Sequence, residues 1–268
     1  MVLLLIAIGA GIIGALFGLG GGIVFIPVLT ILFQQDATTA AAASLVGIVA
    51  TSTGSATGYV KKGLSNIRLG MLMEITTTIG AITGAIIAGY LENWILLIIF
   101  SMVMLYSGFK MAISPEKNIT ECDAKGDLVF RYSDAASGVE DQPYAVKNCK
   151  SGMVLCTIAG AVSSMTGVGG GSIKVPLMNI HMNIPVKVAS ATSSYMIGIT
   201  AFSGAIIYFI QGAISYQIAT AVAIGAYIGA VIGTRISAKV NAKAIKRYMS
   251  VVFFFIAATM LLKAGGYM

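Results

Sequence analysis

Two glycine runs hold the backbone best suited to recognising a charged ligand. They are Gly18-Leu19-Gly20-Gly21-Gly22 and Gly167-Val168-Gly169-Gly170-Gly171, with Pro27 and Pro176 five residues beyond their last glycines. Glycine costs roughly 1 kcal/mol per residue against alanine in a helix, so each run predicts a break in its apolar stretch. Half-helices restarting at 22–33 and 171–181 would begin with amides that lack an intrahelical acceptor, at the positive end of the helix dipole. A glycine backbone lets an anion approach such amides closely. Gly20, Gly21, Gly22, Gly169, Gly170 and Gly171 are therefore candidate anion-binding positions. The competing reading gives them only a tight turn and close packing. Paired breaks at matching places in apolar segments favour the ligand.

Side chains beside the second run extend the same chemistry. Ser172 adjoins Gly171, and Lys174 follows three residues after it. An amine within a membrane segment is costly and a functional candidate by default. Lys174 either supplies charge to an anion or snorkels to the interface. Thr192, Ser193 and Ser194 are the hydroxyl cluster best suited to an oxyanion, because hydroxyls donate without adding fixed charge. Ser44 and Thr51 join them from the first half of the chain. Hydrogen bonds between helices are the other use of such hydroxyls. Glu74 is the one acidic residue deep within an apolar segment. It either carries a coupling proton or partners a nearby hydroxyl. His181 reads as an interfacial residue. The chain has 1 histidine, and Cys122, Cys149 and Cys156 fit no metal spacing. A pairing of Cys122 with Cys149 is left open. No enzyme activity, metal or cofactor is expected from these residues.

The elements that must position them are membrane helices. Of 268 residues, 57% are hydrophobic and 10% charged, with a mean hydropathy of +0.90. Soluble domains carry about 25% charged residues, so the composition is that of an all-α polytopic membrane protein. The net charge of +7 then reports orientation rather than nucleic-acid binding. The apolar run from Val2 to Phe33 would make a helix of about 50 Å against a hydrocarbon core of about 30 Å. A re-entrant hairpin, helix 2–17, break, helix 22–33, fits better. Spans follow at 37–60, 67–90 and 93–113, then a second hairpin at 151–180 and spans at 186–211, 215–238 and 246–266. The N-terminus has no basic residue before its apolar run, which argues against a cleaved signal peptide.

An ungapped offset of 149 residues relates the halves, pairing Ser44 with Ser193, Thr51 with Thr200, Tyr59 with Tyr208, Gly80 with Gly229 and Ser101 with Ser250. The chain thus divides into a first membrane repeat (1–113), an inter-repeat segment (114–150) and a second membrane repeat (151–268). Leu128–Tyr132 alternates weakly and Tyr144–Val146 follows after a turn-like stretch, as in a short β-hairpin, but an ordinary inter-repeat linker with some local structure is the preferred reading. If each hairpin returns to its own side, 15 of the 17 basic residues share one side of the membrane. If each hairpin spans, the bias nearly vanishes. The positive-inside rule selects the first arrangement. It gives two inverted-topology repeats, each a glycine-broken re-entrant helix hairpin plus three transmembrane helices. Both termini then lie outside and residues 114–150 are cytoplasmic.

These residues resemble the TauE/SafE sulfite exporter family, also called the toluene sulfonate uptake permeases. The resemblance rests on Gly18-Leu19-Gly20-Gly21-Gly22 with Pro27, on Gly167-Val168-Gly169-Gly170-Gly171, on Ile173-Lys174-Val175-Pro176 and on Ala191-Thr192-Ser193. It covers nearly the whole chain outside 114–150. It implies a secondary transporter of small sulfur-containing anions such as sulfite, thiosulfate or sulfoacetate. Alternating access would work around a midplane site made by the two glycine turns and the Thr-Ser segment. The first half departs from the pattern, with Ala42-Ala43-Ser44 in place of Ala191-Thr192-Ser193. The expected partners are the anion and the lipid bilayer of the cell membrane, with no nucleic acid; a homodimer is left open. An anion channel and a non-catalytic membrane scaffold subunit are the alternatives.

Overall fold

Apolar runs free of proline become long helices and the glycine runs become breaks in the computed structural model, which describes residues 2–113, 128–134, 139–237 and 242–264. The first half contains α1 (Val2–Phe17), α2 (Gly22–Pro27), α3 (Ala37–Lys61), α4 (Ile67–Ala88) and α5 (Asn93–Ile113). Strands β1 (Leu128–Asp134) and β2 (Val139–Val146) pair antiparallel, with Phe130 opposite Tyr144. The second half contains α6 (Cys149–Thr166), α7 (Gly171–Pro176), α8 (Val186–Ile210), α9 (Tyr216–Ser237) and α10 (Ala242–Ala264). Cys122, and with it the question of its pairing, lies outside the described residues.

Both short helices carry on past their prolines as π-helical turns, Val28–Leu32 and Leu177–His181. Proline has no amide hydrogen to donate to the carbonyl four residues back. The wider turn follows, with the Phe33 amide donating to Val28 O and the Met182 amide to Leu177 O.

Among the described residues, five helices are long and apolar enough to cross a membrane: α3, α4, α5 over Asn93–Lys110, α8, and α9 over Tyr216–Ile236. The apolar part of α10, Ser250–Ala264, is shorter. The outside of the bundle is greasy. Ile75, Ile79, Ile82 and Ile86 on α4, and Ile224, Ile228, Ile232 and Ile236 on α9, are all exposed in helical stripes. Water would not tolerate so much exposed aliphatic surface, whereas lipid does. The protein is a multi-pass membrane protein.

Small residues bring the helices together, as expected where lipid supplies no hydrophobic drive between them. A Cβ on Gly80 would stand 1.9 Å from Thr157 O, and one on Gly229, its counterpart in the repeat, 2.1 Å from Ile8 O. Thus α4 packs on α6 as α9 packs on α1. In the same way α3 packs on α9 as α8 packs on α4, and α5 meets α10.

Contacts fix the helix directions. Leu4, Ile8 and Ile12 of α1 meet Gly225, Gly229 and Gly233 of α9, so these helices are parallel. Gly47, Gly54 and Gly58 of α3 meet Val222, Ala230 and Thr234, so α3 is parallel to them too. Chain leaving α1 must therefore come back before α3 starts, and α2 brings it back. The same reasoning applies to α6, α7 and α8 against α4. Helices α3 and α8 cross antiparallel near their middles: Leu45 meets Gly204, and the Ser52 hydroxyl donates to Ser194 O at 2.6 Å.

Candidate functional site

The two breaks meet at that crossing. Cβ atoms added to Gly20 and Gly169 would both press on Ile48, at the middle of α3. Gly22 packs on the carbonyls of Gly167 and Val168, and Gly171 on Gly18 and Leu19, so each break is wedged against the other. Gly18, Gly20 and Gly21 have φ of 71°, 75° and 82°, and Gly167, Gly169 and Gly170 have 71°, 85° and 77°. This left-handed conformation is why glycine is needed at these turns. Each turn is also tied to the opposite half. The Ser44 hydroxyl donates to Gly167 O at 2.7 Å, and the Ser193 hydroxyl to Gly18 O at 3.0 Å. Tyr59 donates to Ala15 O at 2.6 Å and Tyr208 to Ser164 O at 3.1 Å, closing the last turns of α1 and α6.

Beside the second break lies a buried ionic cluster. The Lys174 side chain runs back along α7, so that a Cβ on Gly170 would sit 3.3 Å from its Cε. Its ammonium is fully buried, 3.2 Å from Glu74 Oε2 on α4, and donates to Thr200 Oγ1 on α8 at 2.6 Å. The Thr200 hydroxyl donates in turn to Glu74 Oε1 at 2.5 Å, and Thr78 reaches the same oxygen at 3.4 Å. Either ion alone would be costly in this interior, and each is tolerated because the other is present. The cluster joins α4, α7 and α8. Lys174 does not snorkel outward, and Glu74 is buried with it.

The remaining expected site residues divide by what their hydroxyls already do. Ser44 and Ser193 hold the opposite break. Thr51 donates to Gly47 O within its own helix at 3.0 Å. Thr192 Oγ1 accepts from the Asn66 amide at 2.9 Å, and Asn66 Nδ2 donates to Tyr144 of the β-hairpin at 2.7 Å. Thr192 therefore fastens the α3–α4 loop to α8. His181 pairs through Nε2 with the Ser151 hydroxyl at 2.8 Å, at the edge of the bundle. Ser172 and Ser194 are different: both hydroxyls are buried and find no partner among the described residues.

Ser163 and Thr200 are members of this cluster that the expected site did not include. Ser163 Oγ is buried without a partner, and it would lie 3.0 Å from a Cβ on Gly170, on the Lys174 side of the break. The signal for it was present in the repeat: Ser163 stands where the first half has Gly14. For Thr200 the signal was charge. A lone deep lysine and a lone deep carboxylate must find each other in a dry interior, and a hydroxyl near one is near both. The assembled chemistry is an ammonium–carboxylate pair beside the second break, with the unpartnered Ser163 hydroxyl next to Gly170.

Comparison with known proteins agrees with this architecture. The family model for the sulfite exporter TauE/SafE matches residues 3–260. The chain is 28% identical over 269 residues to the probable membrane transporter protein YunE of Bacillus subtilis, covering 97% of each chain. It is 26% identical over 239 residues to the probable membrane transporter protein MJ0441 of Methanocaldococcus jannaschii, covering 82% of this chain and 80% of that one. A second Bacillus subtilis relative, the probable membrane transporter protein YdhB, is 23% identical over 226 residues, covering 84% of this chain and 85% of its own. No solved structure matches the chain significantly. Broken helices meeting mid-bundle around a buried ion pair, and a family match over nearly the whole length, lead to one conclusion: the chain belongs to the sulfite exporter TauE/SafE family of membrane transporters.

Proposed function

We propose that this transporter moves a small sulfur-containing anion, such as sulfite, thiosulfate or sulfoacetate, by alternating access around the meeting point of the two breaks. The observation that carries the reading is the buried Lys174 ammonium beside unpartnered Ser163, at the opening turn of α7. An ammonium and neutral hydroxyls are the donors a desolvated oxyanion needs, and Glu74 is the acceptor that the anion has to replace at Lys174. The site residues in this reading are Gly169, Gly170, Gly171, Ser172, Lys174, Ser163 and Ser194. Gly20, Gly21 and Gly22 form the facing wall, and Glu74 carries the coupling proton. Ser44 and Ser193 keep the breaks in register.

The two halves act as inverted-topology repeats, supported by the antiparallel crossing of α3 with α8 and by the matched hydrogen bonds 149 residues apart. Each helix–break–helix segment is then a re-entrant hairpin. The termini lie outside and residues 114–150 lie in the cytoplasm, supported by the side on which 15 of the 17 basic residues fall. Purified protein in liposomes is the test. Saturable flux of sulfite, thiosulfate or sulfoacetate is expected; neither binding nor flux for any of them refutes the proposal.

A further inference from the structure

We infer that the anion enters this site together with a proton, which Glu74 takes up as Lys174 turns from carboxylate to substrate. The inference rests on the proposed anion site and adds the charge chemistry that loads it. It starts from the observation that Lys174 is not a spare cation: its ammonium is 3.2 Å from Glu74 Oε2, both side chains are buried, and Thr200 bridges them. With Glu74 ionised, the cluster is already neutral. A bound anion would then leave an uncompensated negative charge in a dry interior, where unpaired charge is heavily penalised.

Protonation of Glu74 removes that obstacle without moving any backbone. The proton comes from water and resides on a Glu74 oxygen; Lys174 stays an ammonium, and its positive charge passes to the anion. With a monoanion the loaded cluster is again neutral; with a dianion such as thiosulfate or sulfoacetate the one proton cuts the excess from two negative charges to one. Thr200 is suited to this exchange, since a hydroxyl that donates to a carboxylate accepts equally well from a carboxylic acid. The unpartnered hydroxyl of Ser163, on the Gly170 side of Lys174, lies on the side from which an anion would reach the ammonium. Unloaded, the protein rests with the ion pair closed.

The other groups around the pair do not supply this proton balance. From α6, the Cys156 thiol is buried and interacts electrostatically with both ions. From α8, Tyr195 packs on Gly70, one turn before Glu74. Helix α5, which packs on α7, has no carboxylate or amine between Asn93 and Phe109, and its Tyr106 faces outward. The repeat counterparts of Lys174 and Glu74 are Phe25 and Ala223, so the first break has no such exchange.

Proton uptake on binding tests this directly. Thiosulfate and sulfoacetate, whose own charge is fixed near neutral pH, are added to the purified full chain in weak buffer with a pH indicator. The expected result is alkalinisation of about one proton per anion bound, with affinity falling by up to about tenfold per unit of rising pH. Glu74→Gln should bind the same anions with no proton uptake and no pH dependence. In liposomes it should exchange anions without being driven by a pH gradient. Wild-type binding without proton uptake overturns the inference and leaves the anion-transport reading standing, as does a Glu74→Gln protein that still takes up a proton. Wild-type protein that binds neither anion at any pH sinks both. If Glu74→Gln does not fold, the wild-type proton count decides alone.

Discussion

The two breaks have the same backbone and different contents. Both turn through left-handed glycines, both restart as a short helix with a π turn after proline, and both are pinned by a serine from the other half. The frame repeats even at the bundle's edges, where Lys62 Nζ donates to Thr234 O and its counterpart Gln211 donates to Ala85 O. Around the first break the filling is apolar: Phe25, Ala7, Ala10, Ala43 and Val222 pack into one buried cluster. Around the second, Lys174 stands in place of Phe25, Glu74 in place of Ala223 and Cys156 in place of Ala7. Three of the unpartnered hydroxyls, Ser163, Ser172 and Ser194, stand where the first half has Gly14, Ile23 and Leu45. Duplicated groups thus hold the frame, and unduplicated groups carry the polarity. In the proposed function the first break is the wall and the second the site.

The comparison breaks most visibly if the second break is given the residues that surround the first. Lys174→Phe leaves Glu74 buried without a cation, and should cost about 3–5 kcal/mol and abolish transport. Adding Glu74→Ala should recover most of the melting temperature while transport stays absent. If the double variant remains as unstable as the single one, the ion pair is not what the asymmetry is about.

Next in size come the glycines at which the breaks touch. A Cβ at Gly171 would stand 2.4 Å from Gly18 O, and one at Gly22 2.6 Å from Val168 O. Gly171→Ala and Gly22→Ala should each destabilise the protein by about 1–3 kcal/mol through overpacking. Similar losses in thermal unfolding would support a shared frame; a loss confined to one would argue against it.

Tyr59→Phe and Tyr208→Phe should act as a matched pair of smaller size. Each removes one hydrogen bond to a helix-end carbonyl, at about 1 kcal/mol, and equal melting shifts are expected.

The smallest effect concerns Lys62 and pH. Burial lowers the proton affinity of Lys62 below the usual lysine range. The folded form therefore gains stability as pH rises through the alkaline range, from that lowered value up to the ordinary lysine value. Lys62→Gln, which copies Gln211, should flatten this slope in alkaline thermal denaturation.

Much of this was legible in the sequence, for reasons that can be named. Helix boundaries followed from apolar runs punctuated by glycine, proline and charge, and α3 and α8 begin and end within a residue of the expected spans. The strands showed only as weak alternation at Leu128–Tyr132 and Tyr144–Val146, which a linker with some local structure explained as well. The roles of individual hydroxyls were not legible. Ser44, Thr51, Thr192, Ser193 and Ser194 are alike as donors, and only packing decides which meet a carbonyl, as Ser193 meets Gly18 O, and which meet nothing, as Ser194 does. Lys174 and Glu74 were each conspicuous alone. Their pairing across 100 residues depends on how α4 and α7 both pack against α8, which helical periodicity does not report.

Binding of sulfite, thiosulfate and sulfoacetate by the purified Lys174→Phe/Glu74→Ala protein, set beside wild type and followed by thermal stabilisation, tests the central claim most directly. Wild type should be stabilised by at least one of these anions, while the double variant, folded and with its interior neutral, should be stabilised by none. Equal stabilisation of both would contradict the assignment of the site to the second break.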